Sequence, residues 1–215
     1  MEAKIALIEE HISRLEASVY KSKIHIPQPP IKAEDNIDPD LVKMVKDKDL
    51  ELFSAVRRVP SDYYQRDLEF RMNCLEAHSV EHLCKCVLFE VKDSPNDIQK
   101  YICVVVQYVD KVGQGKLLSA ASKILGSKVT LMSLAKEDEA SELTGSKYNA
   151  MTPVLLRPTK AFAKYRIPII LSERIAALAP PFFWLGGGEV DVKFGIDTRK
   201  FIKIFKPYIF DISDK

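Results

Sequence analysis

Cys86-Val87-Leu88-Phe89-Glu90-Val91 and Tyr101-Ile102-Cys103-Val104-Val105-Val106-Gln107-Tyr108-Val109 are the stretches on which the fold turns. Both are rich in β-branched and aromatic residues, and the turn-forming Ser94-Pro95-Asn96-Asp97 lies between them. The pattern predicts a buried antiparallel pair. Working outward, AVRRV (55–59) reads as a strand, Pro60-Ser61-Asp62 as a turn, and 66–76 as a short helix. Downstream, KLLSAASKIL (116–125) is helical, KVTLM (128–132) a strand, and KEDEASEL (136–143) a helix ending at Gly145. Strands follow at 167–171, 182–185 and 189–195, with a last helix near 197–206. These strands outnumber the crossover helices that a parallel sheet needs, so the expected class is α+β with a mostly antiparallel mixed sheet flanked by helices.

The 215 residues suit one domain of ordinary size with an extension. Such a chain buries a full core without a metal or disulfide staple. A net charge of +2, from 32 basic and 30 acidic residues, names no partner by itself. Cys84 and Cys86 are nearly adjacent, and Cys74 and Cys103 sit in apolar surroundings, so a disulfide framework is not expected. The N-terminus carries glutamates where a signal peptide is apolar, and no run approaches the roughly 18–20 apolar residues of a membrane span. A cytoplasmic protein is expected.

Residues 3–22 read as an amphipathic helix in which Ile5, Ile8, Ile12, Leu15 and Val19 form a heptad seam. Such a seam packs either on its own domain or on a partner helix. The segment 26–40 is a proline-rich, acidic linker, and Asp38-Pro39 starts a helix over roughly 39–52. The expected division is an N-terminal region 1–50 and a domain 51–215.

Three segments hold candidate chemistry. Lys85 enters a strongly apolar strand; its stem either snorkels to water or presents a fixed ammonium to a pocket. Thr144-Gly145-Ser146-Lys147-Tyr148-Asn149-Ala150-Met151-Thr152-Pro153 is either an ordinary connection or a nest of backbone donors, since Gly145 and Asn149 tolerate positive φ. Gly186-Gly187-Gly188 makes a hairpin turn or a close backbone approach to substrate; it is no phosphate loop, because no GK[ST] follows.

In order, these segments resemble the YbaK/ProX family of aminoacyl-tRNA deacylases. The family shows a Lys before an apolar strand (Lys85 to Phe89), a Thr-Gly followed by Gly-Gly-x-Ser-Pro (Thr144-Gly145, then Asn149 to Pro153), an Ile-Pro strand (Ile167 to Leu171) and a strand ending in glycines (Trp184 to Gly188). The resemblance covers about 55–210. Asn149-Ala150 replaces the glycine pair, Thr152 the usual Ser, and Ser172 a common acidic residue. It implies a curved sheet and metal-free hydrolysis, in trans, of mischarged aminoacyl-tRNA, with no cofactor. Lys85 would position the terminal nucleotide or carbonyl, and the backbone around Asn149, Ala150, Thr152 and Pro153 would hold the ester. Thr144, Gly145, Met151, Gly186, Gly187 and Gly188 would line the substrate. The locally basic Arg157, Lys160, Lys164 and Arg166 become contacts for tRNA phosphates, with Arg199, Lys200, Lys203 and Lys206 as a second basic stretch or simply a solvated face. The expected partners are the aminoacylated 3′ end of tRNA and, through the N-terminal helix, a synthetase or multi-synthetase complex. A non-catalytic tRNA- or synthetase-binding module is the competing class.

His78-x-x-x-His82, with Cys84 and Cys86 behind it, matches half of a zinc-editing signature. No histidine follows His82, so the second half is missing.

Overall fold

The computed structural model describes His11, Ile12, Arg14, Leu15 and residues 37–95, 98–147 and 149–214. From residue 37 onward the first helix is α1 (Pro39–Asp47), whose N-cap Asp38 accepts a hydrogen bond from the Asp40 N–H. Next come β1 (Ser54–Arg58), a 3-10 turn (Tyr63–Gln65), α2 (Leu68–Leu75) and a second 3-10 turn (Val80–His82). The central strands are β2 (Cys84–Val91) and β3 (Tyr101–Gln107), followed by β4 (Lys111–Val112), α3 (Gln114–Leu125), β5 (Met132–Leu134) and α4 (Glu137–Thr144). The chain ends with β6 (Ile169–Ser172), α5 (Glu173–Ala176), β7 (Phe182–Gly186), β8 (Val192–Asp197), α6 (Thr198–Phe205), β9 (Tyr208–Phe210) and β10 (Ser213–Asp214).

The larger sheet has the order β5-β2-β3-β6-β9 and a smaller one the order β1-β8-β7; β10 pairs with β4. The β5-β2-β3 and β1-β8-β7 pairings are antiparallel, while β3-β6 and β6-β9 are parallel. This is the expected α+β class, mixed and mostly antiparallel. Every residue of β3 is buried. Its alternation splits the two faces: Ile102 and Val104 pack with Leu117, Ala120 and Ala121 of α3, whereas Tyr101 and Cys103 pack with Leu143 of α4.

The sequence misplaces several edges. The strand expected at 128–132 lies at Met132–Leu134, and the one at 189–195 begins at Val192. The helix expected to reach 52 stops at Asp47, and Leu50 turns inward. β4, β9 and β10 carry no periodic signal of their own; pairing with distant strands makes them.

A boundary at 50/51 falls inside a packed core. Leu41, Val45 and Leu50 are buried with Phe53, Val56, Phe183, Leu185, Val192 and Phe194, and Ile37 packs against the same cluster. Arg157 pairs with Asp38 and Asp40 at 2.8 Å each, tying the start of α1 to the domain. The physical reason is that α1 alone cannot bury its apolar face, so the sheet completes it. Of the helix expected over 3–22, only His11, Ile12, Arg14 and Leu15 are described; they are helical, and the seam residues Ile12 and Leu15 are 50% and 62% exposed. The linker at 26–36 lies outside the described residues.

Candidate functional site

β5 pairs with Phe89–Val91, so Cys84–Val87 have no β5 partner among the described residues. A single parallel bridge, Leu83 to Trp184, brings β7 alongside the start of β2 from elsewhere in the chain. Between these elements lies a cavity of about 410 Å³ whose wall includes Lys85, Tyr64, Tyr108, Asn149, Met151 and Gly186. That size suits a small ligand or the end of a larger one.

Lys85 is half-buried; its ammonium lies 5.7 Å from the centre of the Tyr108 ring and has no carboxylate partner among the described residues. A strand lysine that only snorkels would leave the wall of the cavity for bulk water.

The loop after α4 is held from three sides. Gly145 caps the helix at φ 68°, where a side chain is strained, and an added Cβ would lie 2.8 Å from the backbone oxygen of Arg157. Asn149 takes φ 63°, and its carbonyl accepts a 2.7 Å bond from the Tyr64 hydroxyl. The Ala150 N–H donates to the Lys147 carbonyl at 3.0 Å, and the Ala150 carbonyl accepts from the Gly188 N–H at 3.2 Å. Gly186 fits because it lacks a side chain: a Cβ there would sit 2.7 Å from the Met151 carbonyl oxygen. The N–H groups of Met151 and Thr152 have no partner among the described residues.

The predicted residues therefore divide. Lys85, Thr144, Asn149, Met151 and Gly186 share the cavity wall. Ala150, Thr152 and Pro153 are buried behind it, Ala150 with its N–H already spent and Pro153 with none to offer. Gly145, Gly187 and Gly188 shape turns: the Gly187 N–H closes the β7-β8 hairpin on the Val192 carbonyl at 2.9 Å. Arg157 meets two carboxylates in the fold, so phosphate contact would compete with them. Lys160, Lys164 and Arg166 are exposed.

Sequence reading missed several wall residues: Tyr64, Tyr108, Glu137, Ser141 and Ser146. The Ser146 hydroxyl is buried without a partner among the described residues. Behind Tyr64 lies Lys193, 4% exposed, which donates to the Tyr64 hydroxyl at 2.8 Å and to the Val190 carbonyl at 2.7 Å. Its ammonium stands over the rings of Tyr64 and Tyr63, at 4.5 and 5.2 Å, and Arg71 lies 5.5–5.6 Å from the rings of Tyr63, Tyr64 and Tyr108. Burial lowers the pKa of Lys193 to about 8, Asp191 acting against the shift and Arg71 with it. Burial also pushes the Tyr64 and Tyr63 hydroxyls up, so both stay protonated. A tyrosine in a 3-10 turn and a lysine in an alternating strand give no signal in the sequence.

The rival chemistries find little support in the geometry. Both ring nitrogens of His82 are engaged, Nδ1 with the Ser79 hydroxyl at 2.9 Å and Nε2 with the Pro180 carbonyl at 3.1 Å. Among the described residues no three His, Cys, Asp or Glu side chains converge as metal ligands. Burial raises the thiol pKa of Cys84 and Cys86, which keeps them from acting as thiolates. Among the described residues no helix is long and apolar enough to cross a membrane.

No sequence-family model matches the chain, and none of the curated proteins matches it. Solved structures do. The crystal structure of a protein proposed to be a trans-editing enzyme for prolyl-tRNA synthetase superposes with a TM-score of 0.63 at 16% identity, covering 84% of this chain and all (100%) of that one. A hypothetical protein matches with a TM-score of 0.59 at 15% identity, over 81% of this chain and 99% of its own. A scaffold from computational epitope-backbone grafting matches with a TM-score of 0.61 at 14% identity, over 83% and 99%. The shared feature is the fold, an α+β arrangement of open sheets. The ordered motifs around Lys85, Thr144-Gly145, Pro153 and Gly186–Gly188 implied that architecture.

Proposed function

We propose that this protein hydrolyses, in trans and without a metal, the ester joining a wrongly attached amino acid to the 3′ end of a tRNA. The observation that carries the reading is Lys85, an ammonium without a carboxylate partner among the described residues, in the wall of a cavity it shares with Asn149, Met151 and Gly186. In this reading Lys85 fixes the terminal nucleotide or the ester carbonyl. The unspent N–H of Met151, in the cavity wall, stabilises the oxyanion as water adds. A free ribose hydroxyl of the substrate orients that water, so no protein base is required. Glu137 and Ser146, also in the wall, offer oxygens to the α-ammonium of the aminoacyl group. Gly186 allows the ester to approach the backbone, while Lys160, Lys164 and Arg166 meet acceptor-stem phosphates. The exposed Ile12 and Leu15 suit a helix that docks on a synthetase.

The test is a panel of mischarged tRNAs, Ala- and Cys-tRNA(Pro) among them, incubated with the wild-type protein and Lys85→Ala. A charged hydrogen bond to the transition state is worth roughly 1.5–3 kcal/mol, so the variant should lose about 10- to 150-fold in rate. Its melting temperature should stay within a few degrees. Binding of every tRNA without hydrolysis of any would establish the non-catalytic module instead.

A further inference from the structure

Lys193 is a buried cation one step behind the cavity, and nothing in the packing of β8 calls for it. Its neighbours in the strand, Val192 and Phe194, belong to the core. Its ammonium is nonetheless bonded to two oxygens, those of Tyr64 and Val190. The Tyr64 hydroxyl accepts from Lys193, donates to the Asn149 carbonyl at 2.7 Å, and also lies within hydrogen-bond reach of Tyr108.

We propose that Lys193 and Tyr64 are positioning residues: a two-bond relay, Lys193 to Tyr64 to the Asn149 carbonyl, sets the peptide orientation of the loop that receives the ester. The idea rests on the deacylase reading of the site. The Asn149–Ala150 peptide is held at both ends, its carbonyl by Tyr64 and its N–H by the Lys147 carbonyl. The next carbonyl, of Ala150, is turned to the Gly188 N–H. In a planar trans peptide the N–H points opposite to the carbonyl, so that bond aims the Met151 N–H away from Gly188. The relay thus fixes the frame from which the free donors project. It also compensates for the Asn149-Ala150 pair, which has less backbone freedom than two glycines.

The relay has a built-in proton dependence. A protonated Lys193 can only donate, so it does not draw the Tyr64 O–H away from the Asn149 carbonyl, to which it donates. A neutral amine offers a lone pair that competes for that O–H, and the carbonyl is released. The charged and titratable groups around Lys193 are Tyr63 and Tyr64 of the 3-10 turn, Arg71 of α2 and Asp191 of the hairpin; Arg57 is its cross-strand partner on β1, and Tyr108, near Arg71 and Lys85, is hydrogen-bonded to Tyr64. Burial places the titration near pH 8.

The experiment compares the wild type with Tyr64→Phe and Lys193→Met, using single-turnover deacylation corrected for spontaneous hydrolysis and amide NMR of Asn149, Ala150, Met151 and Thr152. The expected result is a fall in kcat of about tenfold in each variant, the two losses not multiplying in the double variant, with KM changed less than about threefold. The wild-type amides should titrate with a midpoint near pH 8, and that titration should vanish in both variants. Wild-type kcat in Tyr64→Phe, or loop amides that titrate unchanged without Lys193, overturns the proposal. If the wild type hydrolyses no mischarged tRNA, the deacylase reading fails, while the amide titration still decides whether the relay exists.

Discussion

Lys85 at the start of β2 and Lys193 inside β8 both interrupt apolar strands, and both reach the same group of tyrosines. Lys85 keeps its ammonium at a cavity wall with one aromatic contact, over Tyr108. Lys193 is closed in and bonded twice to oxygen, with two more aromatic rings beneath it. The difference follows from what covers each strand. The start of β2 lacks a β5 partner, whereas β8 lies between β1 and β7 and against the core that α1 completes. An exposed flank leaves a cation available to a ligand; a covered one turns it into part of the support. Residue type alone does not separate the two roles.

The contrast breaks most severely if the cover of β8 is removed. A chain beginning at residue 51 lacks Leu41, Val45 and Leu50, which pack with Val192 and Phe194. Large apolar side chains taken from a core cost about 2–5 kcal/mol each, comparable in sum to the whole stability of a domain. That chain should lose cooperative unfolding in circular dichroism, whereas one beginning at residue 37 should melt like the full-length protein.

A smaller effect separates the two lysines by pH. The folded-state pKa of Lys193, about 8, lies below its ordinary 10.5, because burial disfavours the charge. Below pH 8 both states are protonated and the cost is present in full. From pH 8 upward the folded protein sheds this proton while the unfolded chain keeps it, so stability rises until the tyrosines of the unfolded chain titrate near 10. Across pH 8 to 10 the wild type should gain on the order of 2 kcal/mol over Lys193→Met in urea unfolding. An equal pH dependence in the two proteins would show that Lys193 is solvated in solution.

The smallest expected effect is at the histidine pair. His82 has both nitrogens occupied, and His78 lies beside it with ring centres 5.4 Å apart. His78→Ala and a strong chelator should each leave the deacylation rate within about twofold of wild type. Stoichiometric zinc in the purified protein, with activity lost on its removal, would overturn the metal-free reading and with it the central place of Lys85.

The central strand pair, α2, α3, α4 and α6 are legible because each carries its own signal: β-branched alternation in β2 and β3, helical spacing in 116–125, a glycine stop at Gly145. Lys85 and the 144–153 loop stand out because an isolated charge and a run of small residues break an apolar pattern. Strand edges at Met132 and Val192, and the two-residue strands β4 and β10, are set by partners far away in sequence, so no local window holds them.

By its residues alone the chain determines an α+β domain, no disulfide framework, a lysine at the mouth of an apolar strand and a small-residue loop beside a triglycine hairpin. Tertiary structure decides the rest. It draws α1 into the core, commits Arg157 to Asp38 and Asp40, and hides Pro153 and Thr152 behind the cavity instead of in it. It also places Tyr64 between Lys193 and Asn149, residues 129 and 85 positions away from it along the chain. The physical reason is range: propensity and periodicity act over a few neighbours, whereas burial and hydrogen bonding to a shared cavity depend on which distant strands the sheets bring together.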